Sequence, residues 1–150
     1  MNMKSTRRTA ATAATLAALT LGGTLASTAP ASAATTAGAY NGKCGAGYYV
    51  QDWTEIRDSA RKIIGTVYVA YSRETQQHCA VLVRTNPGTR MFMEVTLDTA
   101  PSSGKPERDY GSFSSYAGPV YLDTSDFNAQ CLEWSGTVDI YYNSVQGLCS

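Results

Sequence analysis

From residue 48 onward the chain is written in short runs of alternating apolar and polar residues, punctuated by glycine and proline. Alternation at period two sends successive side chains to opposite faces, so each run encodes a strand with one face for a core and one for water. The clearest run is 91–97, with Met91, Met93, Val95 and Leu97 on one face and Phe92, Glu94 and Thr96 on the other. Further runs cover 48–53, 63–71, 79–85, 111–116 and 120–123, and 131–134 and 138–142 are expected to pair through Ser135-Gly136-Thr137. Asn86-Pro87-Gly88 carries turn chemistry and predicts a hairpin between the third and fourth runs. Strands recurring at about 8–12 residues predict an all-β domain, a small antiparallel sandwich or barrel of about seven or eight short strands. One stretch reads two ways. In 54–64, Ile56, Ala60, Ile63 and Ile64 recur at helical spacing, so a short helix competes there with a strand end followed by a charged loop.

Four cysteines, Cys44, Cys79, Cys131 and Cys149, all lie beyond the first 33 residues. An even count in a small exported domain reads as two disulfides, and three pairings are possible. The expected pairing is Cys44–Cys79 with Cys131–Cys149, which staples the two ends of the domain separately. There is no C-x-x-C motif, and His78 is the sole histidine, so no usual zinc site is expected and no cofactor is implied.

Residues 1–33 differ in kind. Lys4, Arg7 and Arg8 precede an Ala/Thr/Leu stretch that ends in Pro30-Ala31-Ser32-Ala33, the layout of a secretory signal peptide cut after Ala33. Thr12, Thr15, Thr20, Gly22 and Gly23 interrupt the apolar stretch, which disfavours a membrane-spanning anchor. The expected organisation is thus a cleaved leader over 1–33, a flexible segment over 34–43 and one stapled domain over 44–150. The whole chain has 12 basic and 12 acidic residues; without the leader it keeps nine basic and all twelve acidic ones, a net charge of about −3. Nucleic acid is therefore not an expected partner, and no stable membrane insertion is expected after cleavage.

In order along the chain, Tyr40-Asn41-Gly42-Lys43-Cys44-Gly45, Gly65-Thr66-Val67-Tyr68, Cys79-Ala80-Val81-Leu82-Val83-Arg84-Thr85, Tyr116-Ala117-Gly118-Pro119-Val120-Tyr121 and Cys131-Leu132-Glu133-Trp134-Ser135-Gly136 resemble the actinobacterial spore-associated protein A family. The resemblance spans nearly the whole mature domain, including all four cysteines, and matches least over 55–62 and 99–109. It implies export and association with spores or aerial growth, and it brings no enzymatic mechanism.

Residues with chemical potential have plainer readings beside them. His78 precedes Cys79 at a strand start, and no G-x-S-x-G elbow offers it a nucleophile. Glu94, Asp98, Glu133 and Asp139 could supply a carboxylate pair for glycoside cleavage, but acidic residues are also ordinary surface residues. Asp123-Thr124-Ser125-Asp126 stops short of a calcium loop. Aromatic residues are the better lead. Trp134, in the matched cysteine motif, is expected in the core, whereas Trp53 and the Tyr141-Tyr142 pair are surface-binding candidates because one of two successive strand residues must face outward. The expected function is a secreted, non-catalytic protein held non-covalently at the spore or hyphal surface, with a spore or cell-wall component as partner. The alternatives are a glycan-binding module using Trp53 or Tyr141, and a protease inhibitor presenting the loop 99–109.

Overall fold

The computed structural model describes residues 39–126 and 130–149; the expected leader 1–33 and residues 34–38 lie outside the described part. Eight strands form two four-stranded antiparallel sheets, and no helix occurs among the described residues. The first sheet has the order β1 (Tyr49–Arg57), β2 (Ile63–Ser72), β3 (Gln77–Arg84), β6 (Tyr116–Asp123). The second has the order β5 (Glu107–Phe113), β4 (Met91–Ala100), β7 (Cys131–Val138), β8 (Tyr141–Gly147).

The core between the sheets follows the alternation. Val67, Val69, Ala80 and Leu82 meet Met93, Val95, Leu97, Leu132, Trp134 and Val138, all buried. Trp134 is fully buried there. Beneath the other face of the first sheet is a second, smaller core of Cys44, Tyr68, Ala70, Cys79, Val81 and Val83. Residues 40–48 cover it as a strap. Tyr40 packs edge-on against Tyr68 and Tyr48 against Tyr121, each pair with ring centroids 5.7 Å apart. The Tyr121 hydroxyl donates to the Cys44 carbonyl. The disulfides are Cys44–Cys79 and Cys131–Cys149.

The structure corrects several local expectations. β3 and β4 do not form a hairpin. Both neighbours of β3 are taken, by β2 and β6, and Asn86-Pro87-Gly88 instead carries the chain across to the second sheet. The Arg84 guanidinium holds that crossing by donating to the carbonyls of Thr89 and Ser114, both at 2.9 Å. The last hairpin turns at Asp139-Ile140 and not at Ser135-Gly136-Thr137, because Gly136 sits inside β7 facing the core. The fifth strand begins at Glu107, and Tyr116 already belongs to β6. The ambiguous stretch 54–64 is strand followed by turn: the Asp58 carboxylate accepts from the amides of Ala60 and Lys62, both at 2.9 Å, a local bond that competes with helix.

Side-chain latches join the two open edges of the sandwich. On one side, Asn143 Nδ2 of β8 donates to Thr54 Oγ1 and to the Glu55 carbonyl of β1, at 3.0 and 2.9 Å. On the other, the Gly118 amide of β6 donates to Asp109 Oδ2 of β5 at 2.7 Å.

Gly136 marks the tightest approach of the sheets: a Cβ there would sit 2.5 Å from Val67 Cγ2 and 2.8 Å from Ile56 Cδ1. Val67 is β-branched within a strand and has little freedom to yield. Gly136→Ala is expected to destabilise the domain by about 1–3 kcal/mol. Gly88→Ala, where an added Cβ meets nothing within 4 Å, is expected to change stability by less than about 0.5 kcal/mol. Chemical denaturation of the two variants side by side checks the contrast; equal midpoints would mean that the sheets are not closely packed at Gly136.

Candidate functional site

The three aromatic candidates occupy three different places. Trp53, 56% exposed, stands on the edge strand β1 opposite Tyr68, beside a shallow depression shared with Glu55, Arg57 and Asn143. Tyr142, 62% exposed, lies on the outer face of the second sheet opposite Thr137. Tyr141 turns the other way, packs against the main core and lines a cavity of about 270 Å³. The structure therefore separates the adjacent tyrosines by face and brings neither next to Trp53.

The cavity opens at the end of the sandwich where the β1–β2 turn, the β3–β4 crossing and the β7–β8 turn converge. Ile64, Met91 and Val138, packed on the core, give its apolar lining, and Tyr141 adds an aromatic wall. Asp58, Lys62, Arg84, Asn86 and Asp139 supply the polar lining. Two of these also brace the rim, Asp58 through its turn and Arg84 through the crossing. Asp139 is held with φ of 58° while its amide donates to the Phe92 carbonyl at 2.8 Å. The Tyr141 hydroxyl reaches Ser59 Oγ at 3.5 Å. Apolar depth with a few converging polar groups is the general form of a small-molecule pocket.

Sequence reasoning passed over the outer face of the second sheet. Strand register aligns Tyr110, Glu94, Thr137 and Tyr142 in one row across β5, β4, β7 and β8, and Phe92 adjoins that row on β4. Phe92, Tyr110 and Tyr142 are all exposed. Arg108 pairs with Glu94 at 2.9 Å and lies over the Tyr110 ring, 4.3 Å from its centroid. The available signal was Phe92 sharing a face with Glu94 and Thr96, an apolar ring on an otherwise polar side.

Of the residues weighed for catalysis, His78, Glu94 and Asp98 are engaged by neighbouring groups. His78 Nδ1 meets Thr124 Oγ1 at 3.0 Å, Nε2 meets the Gln51 side chain at 3.1 Å, and the ring packs on Tyr71. Its neighbour Cys79 is oxidised in the disulfide. Burial lowers the His78 pKa to about 4. Burial alone would raise the Asp98 pKa, yet the hydroxyls of Ser102 and Ser103 and the amides of Thr99 and Ser103 outweigh it and hold the carboxyl below its ordinary value. These bonds brace the exposed loop that follows β4. Glu133 stands opposite Asp98 on β7, and Asp139 is at the other end of that strand pair. Among the described residues no cluster of three His, Cys, Asp or Glu side chains could hold a metal ion.

Fold and bridges define a disulfide-stapled antiparallel β-sandwich with an amphipathic cavity at one end. The chain belongs to the spore-associated protein A family: it is 39% identical over 132 residues, 85% of this chain and 80% of the relative, to Spore-associated protein A of Streptomyces coelicolor. No family model and no solved structure matches it.

His78 and Asp98 give the fold two distinct acid windows. Between pH 6.5 and about 4 the unfolded chain protonates its histidine while the folded chain does not, so stability falls as pH drops through that range. Asp98 contributes stability above pH 3.8 that is lost as pH falls further, through its lowered folded value. Melting temperatures from pH 7 to pH 2.5 are expected to show His78→Gln flattening the first window relative to wild type and Asp98→Asn flattening the second. Parallel wild-type and variant curves would contradict these assignments.

Proposed function

We propose that this is an exported, non-catalytic protein that works by associating non-covalently with the spore or hyphal surface. The observation that carries the reading is the likeness to Spore-associated protein A over 85% of the chain. The leader-like residues 1–33 support export, and two disulfides fit an oxidising compartment. Support for a non-catalytic role comes from His78: the Thr124 hydroxyl it meets already donates to the Gln76 carbonyl, and its other ring nitrogen meets the neutral Gln51 amide rather than an acid. The carboxylates lend similar support: Glu94 is taken up by Arg108 and Asp98 by a serine-rich loop.

Exposed Trp53, Phe92, Tyr110 and Tyr142 offer the flat apolar area that a surface contact uses. Because their side chains face water, polar replacements are expected to leave the fold intact. Sporulating cultures fractionated into medium, spore wash and washed spores are expected to hold the protein on spores and to release it with high salt or mild detergent. The triple variant Phe92→Ser, Tyr110→Ser, Tyr142→Ser is expected to shift at least several-fold toward the medium. A wild-type protein found only in medium, or one that neither salt nor detergent removes, would sink the reading.

A further inference from the structure

The cavity at the sandwich end joins two surfaces that one ligand class satisfies together. Its deep side is apolar, formed by Ile64, Met91 and Val138 with the Tyr141 ring beside them. Its polar lining carries two cations, Lys62 and Arg84, two carboxylates, Asp58 and Asp139, and the Asn86 amide. The charges balance, so the site has no net attraction for an anion or a cation and favours an uncharged ligand. Planar carboxylate and amide groups accept from and donate to neighbouring hydroxyls, and an aromatic ring takes the apolar C–H face of a pyranose. A volume of about 270 Å³ falls just below the roughly 300–1,000 Å³ of pockets for drug-sized ligands, which suits one or two sugar rings.

We propose that this cavity is a saccharide-binding site, taking one or two uncharged pyranose rings against Tyr141 with their hydroxyls toward Asp139, Asn86 and Lys62. The inference rests on the surface-association reading only for the origin of the sugar, a polysaccharide of the spore or hyphal wall. Part of the rim is fixed before a ligand arrives: Asp58 and Arg84 are held by bonds to turn and crossing backbone, and the Asp139 backbone by its own hydrogen-bonded turn.

The test is an NMR titration of the isotope-labelled secreted protein with glucose, N-acetylglucosamine, their β-1,4-linked trimers and, as a zwitterionic control, leucine. Shift changes are expected to centre on Tyr141, Asp139 and Asn86 with at least one sugar and not with leucine. Trimers that bind more tightly than monomers point to a polysaccharide source, and equal affinities point to free sugar; either fits the site. Tyr141→Ala is expected to weaken binding about tenfold and Tyr141→Phe less than about twofold. Asn86→Ala, at an exposed position, is expected to cost several-fold and guards against a Tyr141→Ala protein that fails to fold. The proposal is overturned if no sugar shifts these residues, if leucine shifts them and sugars do not, or if the changes centre on Phe92, Tyr110 and Tyr142. Spores play no part in the titration. A protein retained on spores that titrates with no sugar loses this inference alone, and one that binds sugar but never stays on spores loses only the surface reading.

Discussion

The bond from Cys44 to Cys79 sets the architecture by tying residues 40–48 across the outer face of the first sheet. With the strap in place, β2 and β3 are buried on both faces, between the main core and the smaller one. The sandwich gains a third layer over β2 and β3 without another strand. Closing loops of 35 and 18 residues, the two bridges contribute about 3–4 kcal/mol each in the chain-entropy picture. For a small domain that is a large share of total stability. The ring pairs Tyr40–Tyr68 and Tyr48–Tyr121, with the hydrogen bond from Tyr121 to Cys44, fix where the strap lies; the disulfide alone would leave it free to pivot.

A frame fixed on its faces also has to hold its edges. Four strands border the two sheets, and an unpaired edge is an invitation to another chain. Asn143 joins β8 to β1, and Asp109 joins β5 to β6, each reaching backbone of the opposite sheet. Closed at both sides, the sandwich is left with its ends, where turns meet and side chains are not committed to a ladder. The cavity forms at one such end, from three connections that are far apart in sequence. The hydrogen bonds at the strand ends also place Asp58, Arg84 and the Asp139 backbone around it.

The period-two reading was reliable wherever one strand face meets the core: β4 shows Met93, Val95 and Leu97 inward and Phe92, Glu94 and Thr96 outward, as the alternation requires. For the tyrosine pair the same logic gives one in and one out but not which: Tyr141, the expected outward platform, packs on the core, and Tyr142 is the exposed one. Partner choice was not. Asn86-Pro87-Gly88 announces a change of direction but not the sheet in which the chain lands, which is decided by β2 and β6 occupying both sides of β3. Gly136 misled for a related reason. Glycine marks a turn by its backbone freedom and a close sheet contact by its missing side chain, and sequence does not tell the two apart. The cavity was invisible because Lys62, Asn86 and Asp139 are unremarkable turn residues until three connections are folded together.

The strap makes the molecule two-sided. On the first sheet the strap covers the outer face over β2 and β3, Tyr40 and Tyr48 packing on Tyr68 and Tyr121, and Trp53 stays exposed at the edge. On the second sheet no strap exists among the described residues, and that face keeps Phe92, Tyr110 and Tyr142 in water. Across three strand spacings of about 4.8 Å, Tyr110 and Tyr142 stand about 14 Å apart, separated by Glu94 and Thr137 in the same row. Glu94 and Arg108 pair within that face, and Asp98 and Glu133 stand opposite each other further along β4 and β7. Rings spaced in this way suit an extended surface more than a small ligand, because no single small molecule touches both. The cavity has the opposite geometry, concave and lined by both apolar and polar side chains. The broad face and the end pocket are thus separate structures, and both depend on the same latched frame.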